Sequence, residues 1–349
     1  MSSSANGVGV GLVGAGYWGP NLLRNFFASG RWNIRVLCDR DPARLLHASA
    51  PYPSLTTTTE FARLLDDPLI TAIAIATPVE THFELAAAAL RADKDVLVEK
   101  PMTMTATEAA ELCEIAAARE RIIMVDHTYL FCPPVEYLKK IYEDGELGEL
   151  LYIDAVRVNL GLYQQAGDVI IDLAPHDVSI INYFLDSTPT HVSTVVSSCI
   201  NPGTVDVSYV SLYYPNDIMA HVHLSWLSPV KVRRMLIAGR NRMAIWDDLE
   251  TDRVKIYDKG VVVPPDPEVA RAQQMVSYRL GDMFAPNLSR REALDAVVEE
   301  FYNAVVYRRE PRSTGRFGAN VVRVLEAISN SIAHNGQRVA VSAPSEVAR

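Results

Sequence analysis

Four short stretches carry residues whose types and spacing suit chemistry. The first is Gly14-Ala15-Gly16-Tyr17-Trp18-Gly19, which follows the apolar run Val8–Val13 and opens a helical pattern. A G-x-G-x-x-G loop in that setting suits a dinucleotide pyrophosphate. Its first glycine allows a tight turn, its second lets the backbone approach the phosphates, and its third lets helix and strand pack closely. Tyr17 and Trp18 lie inside the loop and join Gly14, Gly16 and Gly19 as candidate cofactor contacts. Asp39 ends the next apolar run, about 20 residues on, where an acidic residue takes the ribose hydroxyls. A carboxylate there repels a 2′-phosphate, which favours NAD over NADP. Arg40 beside it softens that preference. Asp39-Arg40-Asp41-Pro42 also reads as an ordinary turn.

The second stretch is Thr77-Pro78 with His82 one helical turn on. Pro78 ends a buried strand, and His82 reads either as a cofactor contact or as a helix-surface histidine. The third is Glu99-Lys100-Pro101, directly after the strand pattern Asp95–Val98. Ligands of open α/β sheets bind beyond the carboxyl ends of the strands, which places Lys100 at the cleft with Glu99 beside it. A lysine near a cationic nicotinamide can have a lowered pKa and relay protons. On the tripeptide alone, an exposed surface lysine is the simpler reading. The fourth is Asp172-Leu173-Ala174-Pro175-His176-Asp177. Pro175 suits a first helical turn, so a helix is expected from about Pro175 to Phe184, with Asp177 favouring its N-terminal dipole. His176 could take a hydroxyl proton while hydride leaves the adjacent carbon, and Asp172 could orient it or hold a sugar hydroxyl. A capping aspartate and a core histidine remain open alternatives.

Other polar groups are weaker candidates. His221 and His223 share one strand face but lack a third ligand, so no metal is expected. Lys231, Arg233 and Arg234 could meet a diphosphate or carboxylate, or form a solvated face. Cys38, Cys113, Cys132 and Cys199 contain no C-x-x-C pair and read as isolated thiols rather than a disulfide framework or zinc site.

The elements that must position these residues change character along the chain. Up to about residue 130, strand and helix patterns alternate: strands at Val8–Val13, Ile34–Cys38, Ala72–Ala76, Asp95–Val98 and Ile122–Val125, helices at Pro20–Ser29, Glu60–Leu65, Thr81–Arg91 and Thr107–Arg119. That alternation predicts a doubly wound parallel sheet. A linking helix, Pro134–Glu143, comes next. Segments rich in β-branched and aromatic residues follow at Leu151–Asn159, His191–Ser198, Val205–Tyr214, Met219–Trp226 and Arg233–Ala238. Ala220, Val222, Leu224 and Trp226 alternate with His221, His223 and Ser225, the pattern of a half-buried antiparallel strand. Helices near Arg291–Arg308 and Asn320–His334 close the chain, and Pro264-Pro265-Asp266-Pro267 marks a loop. The expected fold class is α/β: an N-terminal Rossmann domain, then an α+β domain with a large open, mainly antiparallel sheet. Expected boundaries are 1–7 for a disordered leader, 8–130 for the dinucleotide domain, and 131–349 for substrate binding and oligomerisation. The 349-residue length agrees with two domains at about 150 residues each.

The net charge of −9 argues against a nucleic-acid or polybasic membrane partner. No apolar run approaches the ~20 residues of a membrane helix. The first residues lack a secretory pattern, so a cytoplasmic location is expected.

Taken in order, Gly14–Gly19, Thr77-Pro78 with His82, Glu99-Lys100-Pro101 and Asp172-x-x-x-His176 resemble the Gfo/Idh/MocA family, that of glucose–fructose oxidoreductase and inositol dehydrogenase. The resemblance runs from about Val8 to near His334. It implies hydride transfer between a sugar or polyol carbon and nicotinamide, and a second-domain sheet that forms a homo-oligomer, dimer or tetramer. It also implies roles: Lys100 as substrate contact and proton relay, His176 as acid/base, Asp172 as the carboxylate sharing the site. The runs Gly16–Asn21 and Asp172–Asp177 are most similar to a nucleotide-sugar branch of 3-dehydrogenases and deoxysugar ketoreductases. Ala174 departs from the glycine of many members. Some ketoreductases carry tyrosine where His176 stands, so histidine leans toward alcohol oxidation. Inositol or free-sugar oxidation, ketoreduction, and a non-catalytic dinucleotide-binding regulator are the alternatives. The intact Lys100, Asp172 and His176 set favours an enzyme.

Overall fold

A computed structural model of the chain describes residues 7–160, 167–262 and 277–343. Most of the 1–7 leader and the Pro264–Pro267 loop lie outside the described residues. The chain forms two compact units that are not continuous in sequence. Among the described residues, one takes in those up to Cys132 with Arg291–Glu326 and Ala343; the other takes in those between Pro133 and Arg290 with Ala327–Ser342.

The first unit is built on six parallel strands: β1 (Val8–Val13), β2 (Trp32–Cys38), β3 (Thr56–Thr58), β4 (Ala72–Ile75), β5 (Asp95–Glu99) and β6 (Ile123–Asp126). Their order, β3-β2-β1-β4-β5-β6, is that of a doubly wound dinucleotide fold. β4 and β5 are buried along their full length, because helices cover both sheet faces. The helices are α1 (Gly19–Ser29), α2 (Pro42–Ser49), α3 (Ala62–Asp66), α4 (His82–Arg91) and α5 (Ala106–Ala118). Two elements escape the sequence patterns. α2 starts on Asp41, whose carboxylate accepts the Ala43 N–H at 2.9 Å, so the Asp39–Pro42 turn is also a helix entrance. β3 is three residues long and carries no clear alternation.

The first unit is completed from the far end of the chain. After α6 (Pro133–Glu143) and α7 (Val169–Leu185) of the second unit, α8 (Ala293–Tyr307) packs on α1. The Trp32 ring stacks on Phe301 at 5.3 Å, and Arg308 reaches both carboxylate oxygens of the buried Asp95 at 2.8 and 2.9 Å.

The second unit holds a nine-stranded sheet among the described residues. Its strands are β7 (Leu150–Leu160), β8 (His191–Ser197), β9 (Val207–Tyr213), β10 (Met219–Ser225), β11 (Leu227–Gly239), β12 (Met243–Asp247), β13 (Val254–Val262), β14 (Ser277–Phe284) and β15 (Val339–Ala340). The order is β14-β13-β12-β11-β7-β10-β9-β8-β15. β10 is antiparallel to β9, as its alternation predicts, but parallel to β7. The sheet is therefore mixed and mainly antiparallel. Ile153, Ala155, Val222, Leu224, Met235 and Ile237 are buried, and α7 packs against β9 and β10.

The α7 boundary differs from expectation. The helix starts at Val169, capped by Asp168, whose Oδ1 accepts the N–H groups of Ile170 and Ile171. Asp172 is in its first turn, while Pro175, His176 and Asp177 are interior. Pro175 therefore does not mark the entrance. It only forfeits one backbone bond within a helix that packing holds.

Candidate active site

The candidate residues fall in both units. In the first, the three loop glycines are required for three different reasons. Gly14 has φ 99°, and a Cβ on it would sit 2.4 Å from the Ala76 carbonyl oxygen. A Cβ on Gly19 would sit 2.0 Å from the Gly14 carbonyl, so this residue must be bare for α1 to pack on the loop. A Cβ on Gly16 would meet nothing closer than the Arg44 guanidinium at 3.8 Å. The protein itself does not need a glycine at 16; a group approaching that backbone from outside does. This open position at the mouth of a tight strand–helix turn fits a dinucleotide pyrophosphate.

Asp39 is buried, and its carboxylate braces the loop. Oδ2 accepts the Ala15 N–H at 2.6 Å and Oδ1 the Asp41 N–H at 2.9 Å. A carboxylate has about four acceptor positions, so two remain for ribose hydroxyls. The turn reading and the cofactor reading of Asp39 are thus compatible. Arg40 is exposed, as is Tyr17, while Trp18 is half-buried.

His82 is 1% exposed, so it is no helix-surface histidine. Its Nδ1 lies 3.0 Å from the Pro101 carbonyl and its Nε2 2.9 Å from the Thr77 carbonyl. Both ring nitrogens are taken by backbone, and the ring ties the Thr77-Pro78 turn to the Glu99-Lys100-Pro101 turn. Burial pushes its pKa down, against the pull of those carbonyls. Thr77 also accepts the Thr81 hydroxyl at 2.8 Å.

Lys100 is half-buried rather than a surface lysine, and the Lys100–Pro101 bond is cis. Around it lies a polar cluster that sequence patterns do not reveal. Glu99 and Asp126 end adjacent strands in register and are buried side by side. His127 follows, 1% exposed, with Nδ1 2.9 Å from the Ser313 hydroxyl. Burial and then the Lys100 charge lower its pKa to about 3, so it is neutral at pH 7. One available sequence signal was position: polar residues at the carboxyl end of a parallel strand stand where ligands bind.

In the second unit, Asp172 and His176 are four residues apart and so share one face of α7. The Trp226 indole, at the end of β10, donates to Asp172 Oδ2 at 3.0 Å. Asp177 belongs to a different device. Its carboxylate is gripped by Arg157 of β7, Nε to Oδ2 at 2.7 Å and Nη2 to Oδ1 at 2.9 Å, with both side chains only 5% exposed. It does not serve the helix dipole. The pair locks the middle of α7, and with it His176, onto the sheet. Trp226 and Arg157 become legible only when the strands are assembled.

The remaining candidates disperse. Strand alternation places Arg234 on the opposite face of β11 from Lys231 and Arg233, and Arg233 donates to Asp248 at 2.7 Å. No basic cluster forms there. His221 lies 3.4 Å from Asp154, and His223 stacks on Tyr209 at 4.4 Å. Among the described residues, no three His, Cys, Asp or Glu side chains are grouped to hold a metal ion.

Two family models match this chain. One, an oxidoreductase family with an NAD-binding Rossmann fold, covers residues 8–127; the other, a GFO/IDH/MocA C-terminal domain, covers 135–245. The chain belongs to the Gfo/Idh/MocA family. A curated relative, UDP-N-acetylglucosamine 3-dehydrogenase of Acidithiobacillus ferrooxidans, is 27% identical over 90% of this chain and 93% of its own length. Inositol 2-dehydrogenase 2 of Saccharopolyspora erythraea is 26% identical over 62% of this chain and 66% of its own. A solved structure of the Acidithiobacillus ferrooxidans enzyme superposes with a TM-score of 0.80, covering 94% of this chain and 98% of that one at 24% identity. The Gfo/Idh/MocA assignment makes this protein an NAD-binding oxidoreductase that acts on CH–OH groups of sugars and related compounds. Among the described residues, no helix is long and apolar enough to cross a membrane.

Proposed function

We propose that this protein oxidises a secondary alcohol of a nucleotide-linked hexose or hexuronate, at the 3-position, with NAD as hydride acceptor. The observation that carries this reading is the face of α7. It presents Asp172 and His176 together, Asp172 held by Trp226 and the helix locked by Arg157, in a chain 27% identical to a nucleotide-sugar 3-dehydrogenase over most of its length. His176 takes the hydroxyl proton as general base. Lys100 polarises the reacting oxygen or relays the proton. Asp172 orients the substrate. NAD, when bound, supplies the hydride-accepting ring; Gly14, Gly16 and Gly19 seat its pyrophosphate and Asp39 meets its ribose, favouring NAD over NADP. Thr77, Pro78, Glu99, Tyr17 and Trp18 complete that surface, and His82 supports it from beneath.

Oxidation of inositol or a free sugar is the second reading, supported by the inositol dehydrogenase relative. A pure dinucleotide sensor would not need Lys100, Asp172 and His176 together. The test is absorbance of reduced nicotinamide, with NAD or NADP, against UDP-N-acetylglucosamine, its uronate, other nucleotide sugars, myo-inositol and free hexoses. Turnover with one nucleotide sugar and NAD is expected. Turnover restricted to inositol or free sugars would reject the nucleotide-sugar assignment. Lys100→Ala and His176→Ala should abolish turnover while NAD binding, by calorimetry, stays nearly intact.

A further inference from the structure

The carboxyl ends of β5 and β6 hold an arrangement that two ionised carboxylates could not maintain. Glu99 and Asp126 are register partners on adjacent parallel strands, 9% and 1% exposed. Glu99 Oε2 accepts the Lys100 backbone N–H at 3.3 Å, and Asp126 Oδ1 accepts the Thr128 hydroxyl at 2.7 Å. Glu99 Oε1 and Asp126 Oδ2 are left buried without a closed hydrogen bond. As register partners on adjacent strands the two carboxyl groups lie side by side, and the Trp18 indole Nε1 is likewise buried without a closed hydrogen bond.

Buried acceptors without a donor are costly, and two adjacent carboxylates repel. A single proton between them removes both costs. We propose that Glu99 and Asp126 share one proton, present one negative charge to Lys100, and so act as positioning residues that keep its side chain a charged hydrogen-bond donor. The claim about catalysis rests on the role proposed above for Lys100; the shared proton does not.

The surroundings place the proton on Glu99. Burial, then the Asp126 charge, drive the Glu99 carboxyl well above its ordinary range. Burial also raises Asp126, but the Thr128 hydroxyl, Glu99 and the Trp18 indole favour its ionised form. The other charged or titratable groups facing the pair are Lys100, which favours ionisation of both, and His127, which is neutral at pH 7. One negative charge against one lysine leaves the cluster neutral, as burial requires.

The test uses the intact protein at neutral pH without substrate. An infrared difference spectrum between wild type and Glu99→Gln should show the C=O stretch of a protonated carboxyl group, lost in the variant. Asp126→Asn should lose the same band, because Glu99 then ionises against the amide. Absence of the band in wild type, or its persistence in both variants, would overturn the proposal. The effect on Lys100 is read by its rate of acylation, followed by peptide mass spectrometry. Glu99→Gln keeps the Asp126 charge, so that rate should stay within about twofold of wild type. In Glu99→Gln/Asp126→Asn the charge is gone, and the rate at pH 7 should rise roughly tenfold. Equal rates in the single and double variants would remove the positioning role. A band without sugar turnover would leave the pair standing and reject the functional reading; turnover without the band would do the reverse.

Discussion

At the scale of the residue, the glycine-rich loop separates folding from binding within six positions. Gly16→Ala brings its methyl no closer than 3.8 Å to a neighbour, so the melting temperature should hold, while NAD affinity falls about tenfold or more, ~1.4 kcal/mol, as the phosphates lose their approach. Gly19→Ala drives a methyl into the Gly14 carbonyl, and should cost about 1–3 kcal/mol, a drop of several degrees in thermal unfolding. Calorimetric NAD titration beside thermal melts checks both; equal NAD affinity in Gly16→Ala and wild type would contradict the pyrophosphate placement. His127 gives a second residue-scale prediction. Its folded pKa, about 3, lies below the unfolded value near 6.5. Below pH 6.5 the unfolded chain gains a proton that the folded chain refuses, so the stabilisation is complete above 6.5 and drains away toward 3. Between pH 6.5 and 4 the loss should be on the order of 3 kcal/mol, and His127→Gln should flatten the decline in urea midpoint. The loop was legible in the sequence because its constraints are local: a turn, a following helix, an acid at the next strand end. Asp126 and His127 were not, because their meaning comes from lying beside Glu99 and Lys100, a fact of strand register rather than spacing.

At the scale of the element, α7 shows how a catalytic face is held. Its N-terminus rests on the Asp168 cap, and its middle on the Arg157–Asp177 pair. Asp168→Ala should cost about 1 kcal/mol, the usual value of a side-chain cap. Asp177→Ala should cost more, about 3–5 kcal/mol, because it strands the Arg157 guanidinium in the interior. Urea unfolding of both variants orders them; an Asp177→Ala loss no larger than that of Asp168→Ala would mean the pair does not anchor the helix. The element patterns were readable wherever one period ruled. The buried strands β1, β4 and β5 and helices α1, α4 and α5 lie within a few residues of expectation. Pro175 misled because proline is commonest in a first turn, whereas here packing tolerates it inside. β12, β13 and β14 went unseen, since Met243–Asp247 is short and the polar residues of Val254–Val262 interrupt its alternation.

At the scale of the whole molecule, the second sheet packs α7 on one face and, among the described residues, turns large apolar side chains outward on the other. Tyr152 of β7, Met219 of β10, and Tyr209 of β9 stand 40–44% exposed there, with Val195 of β8 at 64%. The cross-strand register sets Tyr213, Met219 and Tyr152 in one row, and Tyr209, His223 and Val156 in another. Between them runs a polar row, Ser211, His221 and Asp154, so aromatic and apolar rows flank a polar one; a self-complementary interface can use such a face, and the expected homo-oligomer would cover it. Met219→Lys should then disfavour assembly, because a two-fold contact brings each introduced charge into the same buried surface as its copy. Sedimentation velocity should show the wild type as a dimer or tetramer and the variant shifted toward monomer, with NAD affinity unchanged since the loop belongs to the other unit. His221 and His223 share this face, and burial followed by the neighbouring His221 already lowers the His223 pKa. Covering the face would lower it further, so protonation opposes assembly: self-association should hold at neutral pH and weaken only on the acid side of the ordinary histidine range. A wild-type monomer at every pH would assign the face to something other than a second copy of this chain.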